Sequence, residues 1–140
     1  MNEINFSGKT VLVVGGSSGI GNGIARVFRD HGAAVFVSGT RASTADYQSD
    51  EDGSDLTGMT YFQWDVSDDK MVENLRPPFS TLDVLVLSQG LVMYKRAEFQ
   101  MPNFRRVLDV NLMSVMSCCM KFHDLLAATK GAVIIVGSGA

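Results

Sequence analysis

Cysteine is almost missing from this chain: the only two, Cys118 and Cys119, are neighbours. Adjacent cysteines cannot staple distant segments, so a disulfide-built scaffold is excluded. They stand in a helical pattern rich in Leu, Met and Phe, where free cysteine acts as a small packing residue; a vicinal redox pair is the sharper alternative. Missing too is any apolar run near the roughly 18 residues of a membrane span, which argues against a membrane partner. The start, MNEINFSGKTVLVV, has no basic segment ahead of its apolar one, and a cytoplasmic protein is expected. Positive charge is not in excess, since 12 Lys and Arg against 15 Asp and Glu give a formal net charge of -3. With the basic residues scattered, no nucleic-acid partner is expected. The only histidines, His31 and His123, lack ligands at metal-binding spacing, so no metal site is expected, and His31 reads as a helix-terminal group facing the dipole.

What is present is an ordinary globular composition, 46% hydrophobic and 19% charged over 140 residues, which fits a single domain over 1–140. TVLVV at 10–14 is a short β-branched run cut off by glycines, a buried strand. Ile20, Ile24, Val27 and Phe28 follow at helical spacing, with His31 and Gly32 as the stop, and AAVFVS at 33–38 is a second strand. Strand, helix, strand over this length is a parallel βαβ unit. The polar stretch 41–58 reads as a brief helix and then a surface loop; its DEDGSD lacks the alternating ligands and terminal Glu of a calcium loop. MTYFQW is a third strand, SDDKMVENL a capped short helix ended by Pro77 and Pro78, and LDVLVLS a fourth strand. From Phe99 onward, Phe104, Val107, Leu108, Leu112, Val115, Met116, Cys119, Phe122 and Leu126 advance by threes and fours, which predicts one long amphipathic helix closed at Gly131. AVIIV is a fifth strand. The alternation predicts an α/β fold, a Rossmann-like doubly wound parallel sheet of five strands in the order 3-2-1-4-5.

Chemistry concentrates in VVGGSSGIGNG, between the first strand and first helix, where Gly15, Gly16, Gly19 and Gly21 mark a sharp turn. The N–H groups of a helix N-terminus have no partners within the helix and sit at the positive end of its dipole, and glycine removes the Cβ that would block a diphosphate. The stretch Gly15, Ser17, Ser18, Gly19, Ile20 and Gly21 is therefore a candidate dinucleotide cradle, in the strand–turn–helix context such a site requires. No GK(S/T) closes it, which excludes a P-loop. At the end of the second strand stands SGTR instead of the carboxylate that would hold the ribose hydroxyls of NAD. Thr40 and Arg41 can bond a 2′-phosphate, so NADP(H) is preferred over NAD(H); as a plainer alternative, Arg41 is a solvated surface charge.

The spacing Gly15-xxx-Gly19-x-Gly21 resembles the short-chain dehydrogenase/reductase family, and four later stretches match that family in order. WDVS resembles its aspartate-hydrophobic pair, which implies that Asp65 and Val66 hold the adenine. VLVLSQG stands where the family has NNAG, implying that Ser88, Gln89 and Gly90 line the adenosine ribose. LDVNLMSV resembles the helix carrying the active-site asparagine, here Asn111, and IIVGS the strand carrying the catalytic serine, here Ser138. Two departures stand out: Val14 replaces a threonine and LSQG replaces NNAG, and because the family pairs that threonine with an asparagine of the turn, losing both leaves few groups unpaired. Asn111 lies within an apolar pattern and is either a relay group, as the resemblance implies, or a structural amide satisfied by backbone or water.

The resemblance also implies a tyrosine and lysine spaced YxxxK beyond Ser138, needed to protonate the developing alkoxide. Tyr47, Tyr61 and Tyr94 all lie upstream, and none precedes a lysine by four. AVIIV is apolar on both faces, as an interior strand would be. The chain is thus expected to be the cofactor-binding part of a longer protein, lacking the family's later strands and helices and inactive alone. As a whole the protein is expected to be an oxidoreductase acting on a small carbonyl/alcohol substrate, homo-oligomeric through the helix near 99–128. The alternative from another class is a non-catalytic nucleotide-binding or interaction module.

Overall fold

The computed structural model describes residues 3–47 and 53–139. Five parallel strands, β1 (Thr10–Val14), β2 (Ala34–Gly39), β3 (Thr60–Gln63), β4 (Val84–Leu87) and β5 (Ala132–Ile135), form one sheet in the order β3-β2-β1-β4-β5, as expected. The helices are α1 (Gly19–Asp30), α2 (Asp69–Asn74), α3 (Met101–Leu108) and α4 (Ser114–Thr129). Period-two alternation divides β1 between the sheet's two faces. Leu12 and Val14 join Trp64, Leu85, Leu87, Cys118 and Phe122 on one face, while Val11 and Val13 join Ala25, Val35, Val37 and Val86 on the other. Central strands buried on both faces are what an apolar, β-branched run favours.

The helices follow their local chemistry. Asp68 caps α2, its carboxylate accepting from the backbone N–H groups of Lys70 and Met71. His31 caps the other end of α1, with Nδ1 2.7 Å from the Val27 carbonyl oxygen. The predicted apolar row of α1 is half borne out: Ile24 and Phe28 pack against the core, while Ile20 and Val27 are exposed and the fully inward positions are Gly21, Asn22 and Ala25. Small residues let this helix lie close over β1, and Asn22 brings hydrogen-bond partners for the turn and the loop beside it. Residues 48–52, where much of the polar DEDGSD stretch falls, lie outside the described residues. Asp55, just beyond, has its carboxylate held at about pKa 2 by the Thr57 backbone N–H and hydroxyl and by Arg29.

The long helix differs from expectation. A π turn at Asp109–Met113 separates α3 from α4, and α4 ends on Lys130 in a left-handed conformation, one residue before Gly131. Cys118, Phe122 and Leu126 are buried, whereas Phe104, Leu108, Leu112, Met116 and Met120 are exposed. Residues two apart on a helix lie about 200° apart, so these two rows with a step of four occupy opposite faces. The apolar pattern in the sequence was the sum of two faces. Cys118 is a packing residue, its thiol pushed up to about 12, mainly by burial. β5 lies at the sheet edge and all four of its residues are exposed.

Phe122 is fully buried and joins the layers, its ring 5.8 Å from that of Trp64 and 5.9 Å from that of Phe79. Phe122→Ala is expected to cost about 3–5 kcal/mol in a urea unfolding titration, from lost burial plus the cavity left behind.

Candidate functional site

Because every strand is parallel, all five carboxyl ends open on one side of the sheet, where open α/β sheets bind ligands at the point of strand-order reversal. A cavity of about 740 Å³ lies there, within the range of small-molecule sites. Every residue named from the sequence as catalytic or cofactor-binding lines it: Gly15, Ser17, Ser18, Gly19, Ile20, Gly21, Thr40, Arg41, Asp65, Val66, Ser88, Gln89, Gly90, Asn111 and Ser138.

The glycine turn is held by close contacts. Gly15 has φ of +73°, and a Cβ there would lie 2.9 Å from the Gln89 backbone nitrogen; its own N–H donates to the Ser38 carbonyl at 3.0 Å. A Cβ on Gly21 would collide with the Gly15 carbonyl oxygen. Ser18 begins α1 with extended backbone and no side-chain cap bond, and the first turn of α1 carries no acidic residue. An uncapped positive helix end on a cavity suits an anion.

At the β2 end, Tyr47 is buried at the close of a short 3₁₀ turn, Thr44–Tyr47. Its hydroxyl accepts the Arg41 backbone N–H at 3.0 Å, and the Arg41 guanidinium lies over its ring, 4.7 Å from the centroid. Burial alone would push the Tyr47 phenol up, but hydrogen bonds with Ser17, Tyr61 and the Arg41 backbone, with the Arg41 charge, bring it below its ordinary value. Burial, and next the neighbouring Tyr47, push Tyr61 the other way. Beyond β3, Asp65 accepts from the Ser67 backbone N–H at 3.0 Å and its hydroxyl at 2.6 Å, which fixes the carboxylate beside buried Val66.

On the β4 side the rebuilt LSQG turn is tied to the helix in a new way. Gln89 Nε2 donates to Ser114 Oγ at 2.9 Å, Ser114 Oγ donates to the Val110 carbonyl, and Val14 packs into the core in place of a polar partner. Asn111 is exposed rather than buried in an apolar face: Leu112 and Met113 beside it are exposed as well. Its Oδ1 accepts from the Leu91 N–H at 2.7 Å and its Nδ2 donates to the Leu91 carbonyl at 2.9 Å, a two-bond clamp of the loop after β4 onto the π turn. Ser138 follows β5 and lines the same cavity.

Sequence reasoning missed Tyr47, read as part of a surface segment, and Asn22. Asn22 is buried, donating from Nδ2 to the carbonyls of Gly16 at 3.2 Å and Asp55 at 3.0 Å, and its Oδ1 accepts the Asp55 N–H at 3.0 Å. It clips the glycine turn to the loop before β3. A polar residue in the inward row of α1, one position after Gly21, was the available signal. Two buried polar atoms of the lining, Ser38 Oγ and Gln89 Oε1, have no hydrogen-bond partner among the described residues. No group of three or more His, Cys, Asp or Glu able to hold a metal occurs among the described residues, and no helix there is long and apolar enough to cross a membrane.

Comparison with known proteins agrees with this fold. The chain is 29% identical over 144 residues to the uncharacterized oxidoreductase YvaG of Bacillus subtilis, covering 99% of this chain and 54% of that protein. It is 31% identical over 141 residues to the 3-oxoacyl-[acyl-carrier-protein] reductase FabG of Chlamydia muridarum, covering 93% and 55%. The solved active-site complex of Pseudomonas aeruginosa RhlG with NADP superimposes with a TM-score of 0.74 at 26% identity, over 96% of this chain and 55% of that one. The chain thus spans about half the length of the relatives it matches. The short chain dehydrogenase family model matches residues 9–140, and the chain belongs to that family.

Proposed function

We propose that this chain is the nucleotide-binding part of an oxidoreductase that prefers NADP(H) over NAD(H) and acts on a small carbonyl/alcohol pair. One observation carries the reading: a single cavity gathers the glycine turn, Thr40 and Arg41, Asp65 and Val66, the Ser88–Gly90 turn and Ser138 from the ends of five different strands, with Asn111 from the π turn. The residues suit a dinucleotide, because a Cβ on Gly15 or Gly21 would strike the backbone of Gln89 or of Gly15 and break the turn, whereas Gly19 has open space beside it. The N–H groups at the start of α1 take the diphosphate, Asp65 and Val66 the adenine, Ser88, Gln89 and Gly90 the ribose, and Thr40 with Arg41 the 2′-phosphate. When bound, the nicotinamide supplies the hydride. Ser138 orients the substrate oxygen by donating its hydroxyl hydrogen and stabilises charge that develops there. Asn111, its amide engaged with Leu91 at both ends, holds the loop that borders the reacting end. None of the three tyrosines precedes a lysine by four, so this chain by itself binds and orients but supplies no tyrosine–lysine proton donor. Of the relatives, one is named a reductase and one is solved with NADP, which supports the reaction class and the cofactor.

Association of two copies through the exposed row Phe104, Leu108, Leu112, Met116 and Met120 belongs to the same proposal. A continuous apolar stripe of this kind marks an interaction surface.

Nucleotide titration tests the cofactor assignment. NADPH is expected to bind more tightly than NADH, and Arg41→Ala to erase about 10- to 100-fold of that preference, the worth of one or two hydrogen bonds to a charged group. Equal affinities in the unaltered protein would sink it. Gly21→Ala is expected to weaken both nucleotides by roughly 10-fold or more, although alanine is the better helix former, because the added Cβ displaces the Gly15 carbonyl. Light scattering on a Leu112→Asp/Met116→Asp double variant checks the association: the variant should be monomeric where the unaltered protein is not.

A further inference from the structure

We infer that Tyr47 determines the discrimination between 2′-phosphorylated and unphosphorylated nucleotides, by holding Arg41 in place at the end of β2; this rests on the reading of the cavity as an NADP(H) site. The backbone N–H of Arg41 donates to the Tyr47 hydroxyl at 3.0 Å, the Arg41 carbonyl accepts from the Tyr61 hydroxyl, and the guanidinium lies 4.7 Å over the Tyr47 ring. Arg41 Nη1 also donates to the carbonyl of Asp46, the residue before Tyr47. Main chain and side chain of Arg41 are thus both held by the turn that Tyr47 closes.

Tyr47 itself cannot drift. It is 4% exposed, Tyr61 backs it edge-on with centroids 5.6 Å apart, and its hydroxyl bonds Ser17 of the glycine turn. A Cβ on Gly39 would strike both that hydroxyl and Ser17 Oγ, so the phenol fills the space beneath the last residue of β2. One side chain therefore registers three parts of the site against each other: the turn for the diphosphate, the strand end, and the guanidinium.

The chemistry explains why a ring suits this position. A guanidinium is planar, its faces stack on aromatic rings, and its N–H donors lie in the plane, where they match a phosphate bidentately. Support through the face by Tyr47, with Nη1 on the Asp46 carbonyl, sets the plane in which the guanidinium would meet a 2′-phosphate. An arginine ordered in advance loses less freedom on binding than one that must be ordered by the ligand. Tyr47 is a positioning residue in this account: it acts through Arg41 and needs no contact with the nucleotide.

The test compares adenosine 2′,5′-bisphosphate with adenosine 5′-monophosphate by calorimetry on the purified protein, its Tyr47→Leu and Tyr47→Phe variants, with circular dichroism to establish folding. These probes differ only in the 2′-phosphate and do not need the nicotinamide end. Tyr47→Leu is expected to lose about 10-fold of the preference for the bisphosphate, with affinity for the monophosphate changed less than about twofold. Tyr47→Phe keeps the ring and loses the hydroxyl, and is expected to lose about threefold; it decides the matter if the leucine variant does not fold. A purely structural role would weaken both probes together, and that result overturns the inference, as does an unchanged preference in a folded variant. No preference in the unaltered protein overturns the NADP(H) reading itself, which is a separate outcome.

Discussion

Between the carbonyl oxygen of Gly15 and the α-carbon of Gly21 there is room for hydrogen and nothing larger, and the same turn rests on the backbone of Ser88 and Gln89. That contact lets α1 start directly at the end of β1, so its uncapped N-terminus lines the cavity instead of lying displaced to one side. It also locks the turn after β4 to the turn after β1, the two neighbours at the centre of the sheet. The strand order places these turns where the chain's winding reverses, which opens the crevice. Composition of the turn, position of the helix and location of the cavity are thus one constraint.

The departures from the family pattern make physical sense together. A valine at position 14 gains burial in the core with Leu12 and Leu87, and needs no polar partner from the neighbouring turn. Gln89, longer than the residues usual there, reaches Ser114 at 2.9 Å, and Ser114 passes the connection to the Val110 carbonyl next to the π turn. The link between adjacent strands has been exchanged for one between turn and helix. This steadies the segment that carries Asn111, whose clamp on Leu91 completes the same wall.

The fold was legible because its signals are local and strong. Five short apolar runs separated by helical periods admit few arrangements, and the glycine spacing locates the first turn without reference to anything distant. Site residues carried by turns and strand ends were legible for the same reason: each follows an element whose end could be read. What could not be read depends on direction in space. Two apolar rows of the long helix, one buried at Cys118, Phe122 and Leu126 and one exposed from Phe104 to Met120, look like a single broad stripe in one dimension. The π turn, an extra residue in the helical register, has no compositional mark. Tyr47 sits in a segment polar enough to read as loop, and of its partners Arg41 opens that same segment while Ser17 and Tyr61 lie in two others. Asn22 is polar where the helix faces inward, and only its partners, the Gly16 and Asp55 backbones, explain it.

The two halves of the cavity differ in how they are supported, and this bears on how binding and chemistry divide. On the side of β1, β2 and β3, the glycine turn is clipped by Asn22, Arg41 is held by Tyr47, and Asp65 is fixed by Ser67, above strands whose core residues are buried. On the other side, Ser138 extends from β5, whose four residues are exposed and which pairs with a neighbour, β4, on one edge only. Bare apolar strands of this kind are stable when covered and paired. On the proposed reading, affinity for the adenosine end rests on the interactions around the β1, β2 and β3 turns, and the orientation of Ser138 on the placement of β5. On that reading, substitutions at Asn22, Tyr47 or Ser67 act on nucleotide affinity and leave Ser138 where β5 places it.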